Sequence, residues 1–266
     1  MAFYNGVFNT LTQPSHFIEE LIDENYFCYL ASGRITIFDG QETLHLKKGD
    51  YYIARKNFQV RYSVESFNGE DFKVISLPFE KEFVMQFDLE FELEERPVCS
   101  GCALVKLDEH PLLKAFIQSL DTDESTLFLE DKVFMNLKRK ELLFIILKMN
   151  PCMKKIFLNY ADPGKIDIEA FMYRNFKFNI NMDKLAFLSG RSLSTFKRDF
   201  EKKFNCTPGN WILQKRLEEA YFMISQKKIK PIDVYLEVGF EDYSHFSFAF
   251  KKMFNVNPSQ VSNALV

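Results

Sequence analysis

The stretch SLSTFKRDFEKKFNCTP at residues 192–208 returns fifty residues later as DYSHFSFAFKKMFNVNP at residues 242–258. The positions that agree carry residue types that shape a helix and its two ends. A match spaced in this way indicates two copies of one supersecondary unit. The identical pairs include Ser194 with Ser244, Phe196 with Phe246, Phe200 with Phe250, Phe204 with Phe254, Asn205 with Asn255, and Pro208 with Pro258.

Each copy predicts a helix with one apolar face. In the first copy Phe196, Phe200 and Phe204 stand four residues apart, a spacing that places them on the same side of a helix. The second copy has phenylalanines at the equivalent positions. Ser192 and Asp242 stand where the N-cap of each helix is expected, because their side chains accept a hydrogen bond from a free backbone N–H.

A shorter helix and a glycine-containing turn precede each of these helices, as LAFLSG at 185–190 and as VYLEVGF at 234–240. A short helix, a tight turn and a second helix form the helix-turn-helix unit. Between the two copies, Thr207 and Pro208 predict the start of a longer helix that runs to about Ser225. The C-terminal hundred residues are therefore expected to be helical with short breaks.

Two groups of residues in these copies follow a known pattern of residue types and spacings. They are GFEDYSHF at 239–246 with Phe250, Lys251, Lys252 and Pro258, and, in the first copy, Leu185, Ala186, Ser192, Phe200 and Pro208. Through both groups the chain resembles the AraC/XylS family of bacterial regulators. The likeness covers about residues 165–266.

The resemblance implies a sequence-specific transcription regulator, more often an activator than a repressor. It implies double-stranded DNA and RNA polymerase as partners. It also implies that both helices of one monomer enter successive segments of the major groove, about one helical turn (~34 Å) apart.

The face opposite the phenylalanines is expected to meet DNA, since the second helix of a helix-turn-helix lies in the major groove. In the first copy Arg198 is the candidate for base recognition, because a guanidinium pairs bidentately with guanine. Lys197 and Lys202 are candidates for phosphate contacts. The same face carries Ser194 and Thr195.

The second copy departs from the family pattern. Phe248 stands where a basic or polar residue is common, so it is expected either to touch a thymine methyl or to leave this copy with mostly backbone contacts. Tyr235 replaces the small residue usual in that helix-turn segment, which predicts different packing there. Most direct base recognition is therefore expected from the first copy. The predicted DNA-facing residues of the second copy are Tyr243, Ser244, His245, Ser247, Phe248 and Lys251.

The N-terminal part shows short strand-like runs between turn signals up to about residue 105. The dipeptide Asp39-Gly40 predicts a hairpin, and many short strands predict a small barrel or sandwich. With the turn KKGD at 47–50, this half resembles in architecture the cupin-like sensor domain of many such regulators. The predicted strands cover 26–30, 34–38, 43–46, 51–53 and 72–77.

After Pro111 the apolar period becomes helical, which predicts a helical part over about 111–160. A long helix is expected over 129–148, and its segment 142–147 is apolar nearly all round and must be buried. The stretch YADPGK at 160–165 indicates a linker.

The expected organisation is a regulatory and dimerisation domain over 1–160, a linker over 161–166 and a DNA-binding domain over 167–266. The fold class is α+β. A cupin-like small β-barrel with flanking helices precedes an all-α domain with two helix-turn-helix motifs.

The charge is distributed unevenly along the chain. The whole protein has a net charge of −3, but residues 165–266 carry 16 Lys and Arg against 11 Asp and Glu, a net charge of +5. Such asymmetry favours an electrostatic partner for the basic part. No apolar run reaches the ~18–20 residues that span a bilayer, and residues 1–6 lack the features of a secretory signal. We therefore expect a cytoplasmic protein with no membrane partner.

No catalytic residue, metal site or cofactor is expected. Cys99 and Cys102 form a single CxxC pair, whereas a structural zinc site needs four ligands. The histidines are scattered, and among them His45 lies squarely in the strand region.

Two alternatives stay open at this point: a metal-dependent cupin enzyme with an accessory DNA-binding domain, and a regulator controlled only by a protein partner. In the main interpretation the effector of the N-terminal domain is a small molecule or a protein, and the oligomeric state is left open, with a homodimer as the candidate.

Overall fold

The computed structural model describes residues 8–11, 15–66, 71–91, 102–120, 131–158 and 165–263. The chain divides into two compact units, one of residues 1–39 with 43–161 and one of residues 40–42 with 162–266. The first six residues, Cys99 and residues 161–164 of the predicted linker lie outside the described ranges. Among the described residues, no helix is long and apolar enough to cross a membrane.

The N-terminal unit contains two antiparallel sheets. One has the strand order β1-β8-β3-β6-β9 and the other the order β2-β7-β4-β5. The strands are β1 (Phe8–Leu11), β2 (Ser15–Leu21), β3 (Asn25–Ser32), β4 (Arg34–Phe38), β5 (Thr43–Lys47), β6 (Tyr51–Ala54), β7 (Gln59–Glu65), β8 (Phe72–Phe79) and β9 (Leu104–Leu107).

The five predicted strand segments are confirmed, and so is the hairpin at Asp39-Gly40. Strand β4 pairs with β5 in a register that places Phe38 opposite Thr43. Gly40 has a φ of +94°, a left-handed conformation that glycine adopts without steric cost. The dipeptide therefore forms the turn that its composition predicts.

Two apolar layers hold this unit together. The first lies between the sheets, where Ile35 and Ile37 of β4 meet Cys28 and Leu30 of β3. The second lies on the other side of the five-stranded sheet, where Phe27 and neighbouring side chains pack against helices. Because both faces of that sheet are buried, its central strands contain nearly continuous apolar runs.

One prediction for this unit is wrong. The strand-like pattern was expected to continue to about residue 105, but Lys81–Phe91 forms helix α1. Val84 and Phe87 are buried in the helix-side layer, and their spacing of three residues fits one face of a helix rather than a strand. The segment is too short for its period to stand out in a sequence rich in phenylalanine.

The helices that cover the five-stranded sheet lie where the helical part is predicted. They are α2 (Pro111–Leu120), α3 (Lys132–Met149) and α4 (Met153–Leu158). Helix α3 begins after the N-cap Asp131, whose carboxylate accepts hydrogen bonds from the N–H groups of Val133 (2.7 Å) and Phe134 (2.9 Å). In the apolar segment 142–147 every side chain is buried except Phe144, which is 39% exposed.

The C-terminal unit is helical, as predicted. With the antiparallel sheets of the other unit, it confirms the α+β class. Its helices are α5 (Ile168–Asn175), α6 (Met182–Leu188), α7 (Leu193–Phe204), α8 (Pro208–Ser225), α9 (Pro231–Glu237), α10 (Tyr243–Phe254) and α11 (Pro258–Asn263).

Helix α8 belongs to two apolar clusters at once. Near its start, Trp211 packs against Phe200 (ring centroids 5.9 Å apart) and Phe204 (5.1 Å) of α7. Near its end, Ile224 lies in a cluster with Phe246 and other side chains of the second copy. Each helix-turn-helix copy therefore has a separate core, and one continuous helix joins the two cores.

Candidate DNA-binding surface

The first helix-turn-helix consists of α6, a turn at residues 189–192, and α7. Arg191 braces this turn: its Nη1 donates to the carbonyl oxygens of Ser189 (2.7 Å) and Ile166 (3.0 Å), and its Nε donates to Oδ2 of Asp199 (3.1 Å). The hydrogen bond from Arg191 lowers the pKa of Asp199, and Lys165 lowers it further. Arg191 therefore ties the turn to α7, a role that the motif analysis missed.

The second helix of each copy, α7 or α10, is its recognition helix. Both recognition helices begin at the predicted caps. Ser192 Oγ accepts a hydrogen bond from the N–H of Thr195 (3.3 Å), and the carboxylate of Asp242 accepts one from the N–H of His245 (2.7 Å). At the other end, Asn205 and Asn255 both adopt the left-handed conformation, which asparagine tolerates at a helix C-terminus. The repeat in the sequence is thus a repeat of helix-capping chemistry.

We predict that Asp242→Ala lowers the free energy of unfolding by about 1 kcal/mol, since it leaves a helix N-terminal N–H without its side-chain acceptor. Chemical denaturation of the whole chain measures this loss. The matched control is Glu241→Ala, which removes the neighbouring exposed carboxylate without removing the cap. Equal losses in the two variants would contradict a capping role, because charge near the helix end would then explain both.

The first recognition helix presents polar side chains opposite its buried phenylalanines. Ser194, Lys197, Arg198 and Lys202 are exposed, and Thr195 is half-buried. The Arg198 side chain is 76% exposed, and its Nε lies a long 3.8 Å from Oδ1 of Asp199. The guanidinium is therefore positioned to meet a ligand without breaking a short ion pair.

The lysines of α7 differ in their surroundings. Lys203 forms an ion pair with Glu169 (2.7 Å), and this carboxylate raises the pKa of Lys203. Within the described residues, Lys197 and Lys202 take part in no ion pair. They are thus free to approach a phosphate, whereas Lys203 has a partner on α5.

The second recognition helix presents a mixed surface. Ser244, His245 and Lys251 are exposed, and Phe248 is 70% exposed although it is a phenylalanine. Lys251 likewise has no ion pair among the described residues. The Phe248 ring therefore lies on the surface of α10 and not in the core of the second copy.

Two residues predicted to face DNA in this copy, Tyr243 and Ser247, are half-buried rather than exposed. The Tyr243 ring packs edge-on against Tyr235 (centroids 5.6 Å apart) and also touches Phe246 (5.9 Å). The unusual Tyr235 thus has a packing partner on α10.

The N-terminal unit has a second candidate site, a cleft of about 610 Å³ beside β3, β8 and α2. Such a volume lies within the range of small-molecule sites. Its wall includes the rings of Tyr29 and Tyr51, which lie 4.8 Å apart. Three lysines and one aspartate contribute the charged groups, namely Lys48, Lys73, Lys114 and Asp71.

The structure describes only part of the CxxC pair. Cys102 is a half-buried free thiol, and Cys99 lies outside the described ranges. In the part of the chain that the structure describes, no group of three or more His, Cys, Asp or Glu side chains is arranged to hold a metal ion.

Two family profiles match the chain, one for each unit. The profile of the ExsA N-terminal regulatory domain matches residues 25–154, and a helix-turn-helix domain profile matches residues 185–264. The transcriptional regulator ExsA of Pseudomonas aeruginosa is 22% identical over 237 residues, which cover 87% of this chain and 83% of ExsA.

Another relative is the virulence regulon transcriptional activator VirF of Yersinia enterocolitica. It is 24% identical over 238 residues, which cover 87% of this chain and 86% of VirF. Among solved structures, an apo variant of ToxT from Vibrio cholerae aligns over 99% of both chains with 15% identity and a TM-score of 0.44.

The matches at both ends agree with the geometry of the two units. The helix-turn-helix profile covers both recognition helices and α8 between them. The regulatory-domain profile covers most of the two sheets and helices α1 to α3. The chain belongs to the AraC/XylS family of bacterial transcription regulators, with an N-terminal regulatory domain and a C-terminal helix-turn-helix domain that binds DNA.

Proposed function

We propose that this protein activates transcription by placing α7 and α10 in successive major-groove segments of one operator. The observation that carries the proposal is the segregation of α7: phenylalanines fill one face, and exposed Arg198, Lys197 and Lys202 occupy the other. Cations without internal partners suit phosphate contacts, and an exposed guanidinium suits a guanine edge. The activator role is supported by relatives such as VirF.

The residues proposed to meet DNA fall into two groups. In α7 they include Ser194 and Thr195, close to the helix N-terminus that enters the groove. In α10 the exposed Phe248 is proposed to touch a thymine methyl. The remaining members in α10 are Tyr243, Ser244, His245, Ser247 and Lys251.

Selection of bound sites from random duplex DNA tests the proposal directly. We expect enrichment of a sequence with two half-sites whose centres lie about 10 base pairs apart, because one helical turn separates the two recognition helices. Absence of any enriched sequence at physiological salt would overturn it. Two copies of the selected pair in one operator would support a homodimer, and transcription in vitro from such a promoter tests the proposed action on RNA polymerase.

The N-terminal cleft is proposed as the effector site, with an anionic small molecule as the ligand. Within the described residues, Lys73 and Lys114 have no ion pair, while Tyr51, Ile75 and Ile117 supply apolar wall. This combination suits a molecule with a carboxylate or phosphate group and an apolar body. A regulator controlled only by a protein partner is the alternative.

We predict that a ligand of this class raises the melting temperature of the protein. A concentration of about 100 times Kd stabilises the folded state by about 2.7 kcal/mol. A thermal-shift series of aromatic and aliphatic carboxylates measures the effect, and Lys73→Ala combined with Lys114→Ala should abolish it. The control is Lys47→Ala on β5, which lies outside the cleft and should keep the full shift. A shift that survives in the double variant would place the ligand elsewhere.

The matched relatives are named as regulators, which supports a role without catalysis. Elemental analysis of the purified protein addresses the remaining alternative of a metal-dependent enzyme. Stoichiometric metal would favour that alternative.

A further inference from the structure

One arginine of α8 contacts both the segment that precedes the first helix-turn-helix and the turn of the second. Arg216 donates three short hydrogen bonds to backbone carbonyls: Nε to Phe176 (2.7 Å), Nη2 to Phe178 (2.8 Å) and Nη1 to Gly239 (2.6 Å). Phe176 and Phe178 follow α5 and precede α6 in the first copy. Gly239 lies in the turn between α9 and α10 of the second copy.

The three carbonyl acceptors are held by a single rigid donor group. Phe176 is the C-cap of α5, where helix carbonyls lack partners within the helix. A guanidinium holds its donors in a rigid planar fork, so several bonds made at once fix the directions of all their acceptors. The fork of Arg216 thus holds the segment that leads into the first copy and the turn of the second copy at set positions relative to α8.

The turn of the second copy lies very close to this fork. Gly239 has a φ of +96°, and a Cβ atom there would stand 2.5 Å from the Lys177 carbonyl oxygen and 2.8 Å from Cζ of Arg216. Glycine is therefore required both by the backbone conformation and by the space. The close approach brings segment 176–178, which leads into the first copy, directly against the turn that precedes α10.

A second contact supports the same junction, which consists of segment 176–178, the turn at Gly239 and α8. Lys177 Nζ contacts Oε1 of Glu219 (2.7 Å), one turn further along α8. This ion pair is half-exposed, and such pairs contribute little by themselves. The rigidity of the junction is therefore assigned to Arg216, whose bonds reach backbone atoms on both sides.

We propose that Arg216 is a positioning residue that fixes the spacing and angle between α7 and α10, and thereby the half-site spacing that the protein accepts. The inference rests on the proposed function, in which both helices read one operator. One base pair changes the rotation between half-sites by about 35° and their separation by about 3.4 Å. A rigid junction cannot adapt to such a change in spacing, so the affinity for the altered DNA falls. A flexible junction can adapt, so the affinity falls less.

The test measures binding to the selected duplex and to duplexes with one base pair added or removed between the half-sites. Wild type is expected to lose about tenfold or more in affinity on either change, comparable with loss of one or more base contacts. Arg216→Met keeps the length of the side chain but removes the fork. It is expected to bind the selected duplex more weakly and to show a spacing penalty of about threefold or less, because less contact energy depends on spacing.

Two further variants separate positioning from general loss of stability. Ile224→Val shortens a fully buried side chain of the same helix without touching the junction, and it should retain the wild-type spacing penalty. Arg216→Lys keeps the charge without the planar fork, and its penalty should fall between those of wild type and Arg216→Met.

The outcomes are distinct. A folded Arg216→Met variant with the wild-type spacing penalty overturns the inference, and so does an Ile224→Val variant with an equally reduced penalty. If Arg216→Met does not fold, Arg216→Lys takes its place, and an unchanged penalty there overturns the inference in the same way. If wild type binds no duplex preferentially, the proposed function itself has failed, whatever the variants do.

Discussion

Arg198→Ala is expected to reduce discrimination between the selected operator and a duplex changed at one guanine by about 5- to 150-fold, the equivalent of about 1–3 kcal/mol. The side chain is 76% exposed and lies on the face of α7 opposite Phe196 and Phe200. Removing it deletes the bidentate donor without opening the core, so the variant should fold normally. Competition binding with matched and altered duplexes measures the ratio.

Lys202→Ala provides the control for Arg198→Ala. A phosphate contact carries no sequence information, so this variant should weaken binding about equally for every duplex. It should also reduce the magnitude of the slope of log K against log salt concentration by about 1. If Arg198→Ala leaves both specific and non-specific binding unchanged, the reading face of α7 has been assigned wrongly. If it behaves like Lys202→Ala, Arg198 contacts phosphate rather than a base.

Phe250→Ala is expected to lower the free energy of unfolding by about 3–5 kcal/mol, because it removes a large ring from a packed core and leaves a cavity. Phe250 is 0% exposed and packs against Phe246 (ring centroids 5.6 Å apart) and Phe254 (4.7 Å). A domain is typically stable by only about 5–15 kcal/mol. The C-terminal unit would therefore lose much of its stability, which a urea titration followed by circular dichroism measures.

Phe248→Ala is the matched control for Phe250→Ala, since it removes the same ring two residues away on the opposite side of the same helix. Its ring is 70% exposed, so its truncation should change the free energy of unfolding by less than about 0.5 kcal/mol. It should instead weaken binding to the selected duplex. A loss of stability as large as that of Phe250→Ala would mean that Phe248 is buried in solution.

The two copies are built alike but carry different chemistry on the faces proposed to meet DNA. The surface of α7 is cationic around Arg198, whereas that of α10 is centred on the exposed ring of Phe248. Hydrogen bonds to base edges discriminate among all base pairs in the major groove, while an apolar contact selects mainly for thymine. The prediction that most direct base recognition comes from the first copy follows from this difference.

The sequence by itself determined the C-terminal unit closely. Local signals suffice for helices: Ser192 and Asp242 as caps, Pro208 at a helix start, and phenylalanines four residues apart all act within one or two turns of chain. The structure confirms each of these elements. The repeat then made the pattern visible twice, so the surface opposite the phenylalanines could be identified before any tertiary contact was known.

Part of the N-terminal unit could not be predicted from the sequence, because its strands pair with partners that are distant in the chain. Strand β7 escaped notice since it contains Arg61, which is buried yet pairs with Glu19 of β2 (2.6 Å) across 42 residues. From the sequence alone, a polar residue in a strand is interpreted as facing solvent unless its partner is known. Helix α1 was missed for the related reason that its short apolar face is defined by the sheet it covers.

Only the tertiary structure decided how the two helix-turn-helix copies are joined. Nothing near Arg216 in the chain indicates that its guanidinium meets carbonyls about 40 residues before it, at Phe176 and Phe178, and another 23 residues after it, at Gly239. The sequence determined each helix-turn-helix, because caps and apolar periods are local. Their mutual geometry depends on hydrogen bonds between distant backbone atoms, which exist only once both copies have folded against α8.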